Sequence, residues 1–240
     1  MKIIIAILTL LLLVPVITSA GDKHTPEEEG ALIALRILMQ RPGTNEFLKG
    51  SLYTRVGRDK KTSDIQFQVQ LNDQGWVTSY TSTTEEESNA VFIHHSLGTG
   101  IWFEQKTATN SAPVKIPTAT SHSSFAGSAY WMSDLAYPKC SFFLWPKQKL
   151  IKKELRRGQF CYVLESTNPS PNANEYASAV SWIDVDTLGP LEIHTYGIGK
   201  KKWKEFRPKS FKKVNGIYEV EELEIRDKKT GVRSTITFEY

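Results

Sequence analysis

Residues 180–196 read VSWIDVDTLGPLEIHTY. Two readings of them compete. Asp184 and Asp186 stand two residues apart beside Trp182, and His194 follows eight residues later, an arrangement that would suit an acid/base or metal corner. The same residues also spell strand, turn and strand. Val180, Trp182 and Asp184 would share one strand face, with Ile183 and Val185 on the other, and 186–190 is dense in turn formers, so that Asp186 caps the turn. Two carboxylates on one strand would lie about 7 Å apart at their Cα atoms, a spacing compatible with acid/base work, yet no second shell of partners is visible. The stretch therefore reads as the wall of a sheet.

Working outward, strands are expected at 150–155, 159–165, 180–185, 191–196, 202–214, 217–225 and 232–240. Gly158 and the pair Asn215-Gly216 mark tight hairpins between neighbours. In the last strand Val232, Ile236, Phe238 and Tyr240 alternate with Arg233, Thr235, Thr237 and Glu239. Upstream, Ile65, Phe67, Val69 and Leu71 alternate with Gln66, Gln68 and Gln70, which predicts one buried and one wet face. Asp73-Gln74-Gly75 turns the chain into 76–80, and 91–95 and 101–105 are further strands. His94 and His95 would point to opposite faces, a poor geometry for one metal.

One helix precedes these strands. Thr25 is its expected N-cap, Pro26 its first residue and 27–29 an acidic first turn; Leu32, Leu35, Leu38 and Met39 recur at helical spacing, and Pro42-Gly43 ends it. About ten or eleven strands with one or two helices make a mainly β fold whose sheet must curl to shelter its faces. Segment 107–128 is rich in Ser, Thr, Ala and Pro and has no period. So long a loop in a compact domain suggests a lid with few apolar contacts, opening locally at low cost, while FAGSAYWMSDL (125–135) returns aromatic residues to the body.

The first 20 residues, with Lys2, an apolar run from Ile3 to Leu13 and Thr18-Ser19-Ala20, have the pattern of a secretory signal cleaved after Ala20. The run is short for a membrane-spanning helix and Pro15 breaks it. Residues 21–240 are then expected to form one exported domain, soluble outside the cytoplasm. The formal charge of +4 is mild and does not suggest nucleic acid. Eight Lys or Arg cluster in 200–213 against Glu205 alone. They are either a solvated strand face or, through Lys200, Lys201, Lys202 and Lys204, a transient contact with anionic membrane surface. Cys140 and Cys161 could bridge in an oxidising compartment, contributing roughly 3 kcal/mol; their spacing does not show that they meet.

The common catalytic signatures are missing: there is no Gly-x-Ser-x-Gly, no His-Glu-x-x-His and no Cys-x-x-Cys. GIGKKK (197–202) lacks the spacing of a phosphate loop and reads as a turn. His24, His122 and His194 are isolated. No catalytic residue, metal or cofactor is expected.

The segments RRGQFCYVLEST (156–167), YASAVSWIDVDTLGPLEIHTY (176–196) and KKWKEFRPKSFKKVNGIYEVEELEIRDKKTGVRSTITF (201–238) together resemble the C-terminal half of outer-membrane lipoprotein-sorting proteins, the LolA/LolB-like superfamily. The resemblance covers about half the chain, from residue 128 onward, and rests on strand and turn residues. It implies an incompletely closed antiparallel β-barrel around a helix and loop lid, with an apolar cavity for acyl chains of lipoproteins or lipids, and sorting partners at the inner and outer membranes. Trp76, Trp102, Phe103, Phe125, Tyr130, Trp131 and Trp182 are the aromatic candidates for the cavity or its lid. Arg36, Arg55 and Arg58 lie where the family's functional arginine is sought, and no motif selects one. A non-catalytic envelope sensor or protein-interaction module of the same fold is the rival to a carrier, and a hydrolase is disfavoured by the absent motifs.

Overall fold

The computed structural model describes residues 24–84, 88–96, 100–107, 112–117 and 120–240. The expected signal at 1–20 lies outside the described residues. The first element is α1, Pro26–Met39. Its capping box is complete: Glu28 N donates to Thr25 Oγ1 (3.2 Å) and Thr25 N donates to Glu28 Oε2 (2.8 Å), which satisfies amides the first turn leaves orphaned.

Thirteen strands follow among the described residues: β1 (Glu46–Val56), β2 (Asp59–Asn72), β3 (Gly75–Thr83), β4 (Ser88–Ser96), β5 (Gly100–Lys106), β6 (Val114–Ile116), β7 (Lys147–Arg156), β8 (Gln159–Thr167), β9 (Ser178–Asp184), β10 (Pro190–Tyr196), β11 (Lys202–Val214), β12 (Ile217–Asp227) and β13 (Arg233–Glu239). All belong to one antiparallel sheet in the order β6-β5-β4-β3-β2-β1-β13-β12-β11-β10-β9-β8-β7. The count exceeds the expected ten or eleven by β1 and β6. Two meanders are thus fused at their first and last strands, and β6 and β7 are the free edges. The fusion is the β1–β13 ladder, from Lys49↔Glu239 to Arg55↔Arg233. Thr54 and Ser234 share a buried hydroxyl hydrogen bond of 2.9 Å across it. Gly50 keeps the ladder close, since a Cβ there would fall 1.9 Å from the Thr237 carbonyl oxygen.

The sheet curls around one core. Leu52, Ile65, Tyr80, Val91, Ile93, Phe103, Leu164, Ile183, Ile193, Phe206, Leu223, Ile225, Ile236 and Phe238 converge inside. Each alternates with an outward neighbour, as period-2 patterning requires. His94 and His95 part as expected: His95 points inward to stack on Trp76 (4.7 Å between centroids), while His94 lies outside on Trp102 and contacts Glu104 at 3.0 Å.

The helix departs from expectation in its buried stripe. Leu32, Leu35 and Met39 are exposed, and Gly30, Ile33, Ala34 and Ile37 face the core. The cause is Gly30. The helix lies against the free edge of β7, so close that a Cβ on Gly30 would meet Lys149 N at 2.6 Å. Only the stripe in phase with that glycine can face inward. The possible Cys140–Cys161 bridge is also corrected: both thiols are free and buried. Cys140 belongs to the core. Cys161 shares the outward phase of Val163, opposite inward Leu164, and its Sγ donates to Gln159 O. The sheet wall separates the two.

At the β9–β10 turn the capping residue is Asp184 rather than Asp186. Its Oδ1 accepts from Asp186 N (3.2 Å), Thr187 N (2.7 Å) and Thr187 Oγ1 (2.8 Å). The carboxylate pair of the opening stretch is therefore engaged in a turn.

Ile65→Ala should destabilise by about 2–5 kcal/mol, because its methyls fill the core, and Gln68→Ala by less than about 0.5. Gly30→Ala should destabilise through the clash with β7 even though alanine is the better helix former. Denaturant titration of the three variants checks this; equal effects at Ile65 and Gln68 would mean a register one residue out.

Candidate functional site

The connection from β6 to β7 has to cross the gap between the two free edges. It takes in the last part of the segment 107–128 expected as a loosely held lid, and from Ser121 on it turns inward as a plug. Residues 108–111 and 118–119 of that expected lid lie outside the described residues. From Ser121 on, the chain is tied down. Phe125 N donates to Tyr130 O (2.8 Å) and Met132 N to Ser123 O (3.1 Å), closing a narrow antiparallel turn. Ala126 and Gly127 take positive φ of 49° and 70° at its tip. Ser128 Oγ donates to Phe125 O and accepts from Tyr130 N. Two 3-10 turns follow, Met132–Ala136 and Ser141–Leu144. The Gln148 amide binds the second, donating to Phe142 O (2.9 Å) and Trp145 O (2.8 Å) while accepting from Ser166 Oγ (2.7 Å).

Phe125, Tyr130, Met132, Leu135, Phe142 and Phe143 from this segment are buried in the core of the curled sheet. Polar tethers fix the plug to the wall and to α1. Ala129 N donates to Ser234 Oγ (2.9 Å), Tyr130 Oη to Leu223 O (2.5 Å), Tyr137 Oη to Pro190 O (2.5 Å) and Lys139 Nζ to Leu38 O (3.0 Å).

The strongest tether is an ion pair. Lys204 Nζ of β11 lies 2.7 Å from Asp134 Oδ2 of the plug, and the two side chains are 1% and 3% exposed. Asp134 also accepts from Trp131 N on Oδ2 (2.9 Å) and from Tyr176 Oη on Oδ1 (2.9 Å). Trp131 covers the ammonium, with Nζ 3.8 Å from the ring centroid, and Tyr176 stacks on Trp131 at 4.6 Å. Burial holds the Lys204 pKa below the ordinary lysine value, and Asp134 pulls it partly back. A buried charge is tolerable only when paired and hydrogen-bonded, and here both conditions hold.

This overturns one expectation. Lys204 cannot touch a membrane surface, because its alternation with outward Glu205 sends it inside. Lys202 is occupied by Glu205 at 3.0 Å, and Lys200 and Lys201 remain exposed.

The aromatic candidates divide by strand phase. Phe103, Phe125 and Tyr130 are core, Trp76 is buried beside His95, and Trp131 belongs to the ion-pair cluster. Trp102 and Trp182 lie on the outer face and line no interior. Trp182 Nε1 donates to Glu154 (2.6 Å) under the Arg156 guanidinium, edge-on to His194. His194 itself binds Glu192 at 2.6 Å. Among the described residues no cluster of His, Cys, Asp or Glu could hold a metal ion.

Asp134, Tyr176 and Lys139 were not singled out from sequence. A signal existed for the first: a lysine in phase with inward Phe206 needs a buried carboxylate. Lys139 lies over Trp76 (4.3 Å) beside His95. Burial, then Lys139 and His94, holds the His95 pKa down to about 3, and burial holds Lys139 at about 8.

Asp134→Ala should cost about 3–5 kcal/mol by stranding the Lys204 ammonium. Adding Lys204→Met should recover part of that loss, a non-additivity read from a double-mutant cycle. Acid should weaken the fold through His95. Its unfolded pKa is about 6.5, so between 6.5 and about 3 the unfolded chain binds the extra proton. Stability then falls as pH drops through that window, and His95→Gln should flatten the fall in denaturation midpoint.

A family model described as "-like: Uncharacterized protein" matches residues 109–240. No curated protein matches the sequence. Solved structures share the architecture. A DUF1329 family protein from Desulfovibrio piger superposes with a TM-score of 0.73 at 16% identity, over 90% of this chain and 92% of its own. A putative outer membrane lipoprotein-sorting protein domain from Vibrio parahaemolyticus gives 0.73 at 15%, over 89% and 91%. A LolA superfamily protein from Nitrosomonas europaea gives 0.62 at 16%, over 88% and 91%. At such identities the likeness shows the fold, a curled and unclosed LolA-like barrel. The chain carries that fold and belongs to the family described as "-like: Uncharacterized protein", whose model takes in β6, the plug and the β7–β13 meander.

Proposed function

We propose that the protein is an exported, periplasmic carrier that shelters acyl chains of lipoproteins or lipids in the space its own plug now fills. One observation carries this reading. The centre of the curled sheet is occupied by side chains from an inter-edge connection, Phe125, Tyr130, Phe142 and Phe143, rather than by the sheet alone. Such a segment can be exchanged for an apolar ligand without breaking the strand ladder. Burial of the acyl chain in its place would offset the lost contacts at about 25 cal/mol per Å². The Vibrio structure's description as a lipoprotein-sorting domain agrees with this, as does the signal-like pattern at 1–20. Partners at the inner and outer membranes follow from the same reading.

The tethers change what opening requires. Loosening at 120–145 has to break the Asp134–Lys204 pair and the Tyr130 and Tyr137 hydrogen bonds, so opening is ligand-driven rather than spontaneous. The rival, a sensor or interaction module, would keep the plug seated and bind a protein outside.

Native mass spectrometry of protein recovered from a bacterial periplasm tests the proposal: a bound mass of lipid size is expected on a chain beginning at Gly21. Amide exchange over 120–145 should be slow in the empty protein and rise when a fatty-acyl ligand saturates it. Phe143→Ala should cost about 3–5 kcal/mol of stability yet tighten binding of a fluorescent acyl probe, because the space it vacates is the ligand's. No lipid mass, no probe binding and unchanged exchange would together defeat the carrier reading and leave the rival.

A further inference from the structure

Two hairpins flank the β9–β10 turn at one end of the sheet. The β7–β8 turn is Arg157-Gly158, with φ of 53° and 84°, and the β11–β12 turn is Asn215-Gly216, with φ of 48° and 88°. Both are two-residue turns with positive φ at each position, the geometry that matches strand twist. Asparagine suits such a site. Arginine at 157 has no such local advantage, and its guanidinium reaches across to donate to Pro208 O of β11, tying the two hairpins together.

The tips carry large apolar side chains in water. Leu155 and Phe160 pair across the first hairpin, and Ile217 and Tyr218 open the return strand of the second. These four are 62–70% exposed. Phe211, further down β11, is exposed as well. Single exposed apolar residues need no explanation; a set of them gathered at one end does.

Cations lie among them, some facing carboxylates: Lys212 stands opposite Glu219 in the ladder, and Lys209 lies 3.4 Å from Glu222. Between the hairpins lies a groove of about 560 Å³ whose walls hold Arg156, Arg157, Arg207 and Lys209 against one carboxylate, Glu192, with Leu155 and Pro208 as its apolar part. Arg156 is held by Glu192 (2.6 Å) and Arg207 by Glu224 (2.9 Å), so their positions are fixed. Toward the second tip, Lys212 donates to Tyr240 O, and Lys213 Nζ lies 5.6 Å from the Tyr218 ring centroid. Apolar and aromatic tips with the long side chains of Arg157, Lys212 and Lys213 beside them match a bilayer interface, where rings sit at headgroup level and cationic side chains reach phosphates.

We propose that this end of the molecule docks on a bilayer of anionic phospholipid, with both hairpin tips in the headgroup layer and a lipid phosphate in the groove between them. The surface lies at the opposite end of β11 from Lys200 and Lys201, the basic residues that the sequence brings to notice first. The inference does not rest on the carrier reading, since docking needs no cargo.

Flotation with phosphatidylcholine vesicles, with and without phosphatidylglycerol, tests it on the exported protein. Binding is expected only with phosphatidylglycerol and should weaken with salt. Lys212→Glu with Lys213→Glu should reduce it by at least about tenfold, as each basic residue near the surface is worth about fivefold. Ile217→Ser with Tyr218→Ser should also reduce it, whereas Lys200→Glu with Lys201→Glu should not. Because all six positions are exposed, unchanged thermal midpoints will separate lost docking from lost folding. A fluorophore at Ile217→Cys should shift to the blue on anionic vesicles. Equal binding to neutral vesicles, wild-type binding by both hairpin variants, or loss confined to the Lys200/Lys201 variant would overturn the proposal. So would self-association without vesicles that Ile217→Ser with Tyr218→Ser abolishes, since the patch would then meet a second copy.

Discussion

A curled sheet that does not close has an apolar inner face and an open seam, and everything else in this protein answers that constraint. The thirteen strands of the described residues supply more inward side chains than an empty interior could leave dry, and water inside would meet Ile, Phe, Leu or Tyr on most of them. The chain resolves this from within. The connection that must cross the seam from β6 to β7 carries its own aromatic residues inward, and α1 lies along the free edge of β7. The fold is closed by packing where hydrogen bonds do not reach.

The plug's attachment combines two unlike forces. Its phenyl rings are held by non-directional burial, which would accept many positions. The Asp134–Lys204 pair is directional and accepts one. Taking both charges from water is costly, and the return is restricted to a geometry in which Trp131 N and Tyr176 Oη complete the carboxylate's partners. Such a pair contributes less to the depth of the energy well than to its uniqueness. On the carrier proposal, in which the segment leaves and comes back, a defined seat is of use.

The regular parts of the fold were legible because each had a local physical signature. The Ile65–Leu71 alternation, the Thr25–Glu28 capping box and the Asn215-Gly216 hairpin require only neighbours in sequence. The helix face was misread because α1 carries two apolar stripes at the same period, Leu32/Leu35/Met39 and Ile33/Ala34/Ile37. Only the approach of Gly30 to β7, more than a hundred residues away, selects between them. β1 was not read as a strand because Gly50 and Thr54 occupy two of its inward positions, and β6 is three residues long. The plug has no period to detect, since 3-10 turns are short. Its aromatic residues were noticed, yet their direction is set by hydrogen bonds to Ser234, Leu223 and Pro190, distant in the chain. Asp134 and Lys204 are separated by 70 residues, and no local rule joins them.

The β1–β13 ladder also sets a timetable. β1 is made first among the strands, and the partner for its second edge is the last strand of the sheet. Until residues 233–239 arrive, the first meander ends in an unpaired strand and the inner face of both halves is open. A chain crossing a membrane amino end first would expose that half-sheet for as long as the remainder takes to follow. Loss of residues 233–239 would unpair β1 and β12 together, so that one missing strand costs two ladders and the join between the meanders.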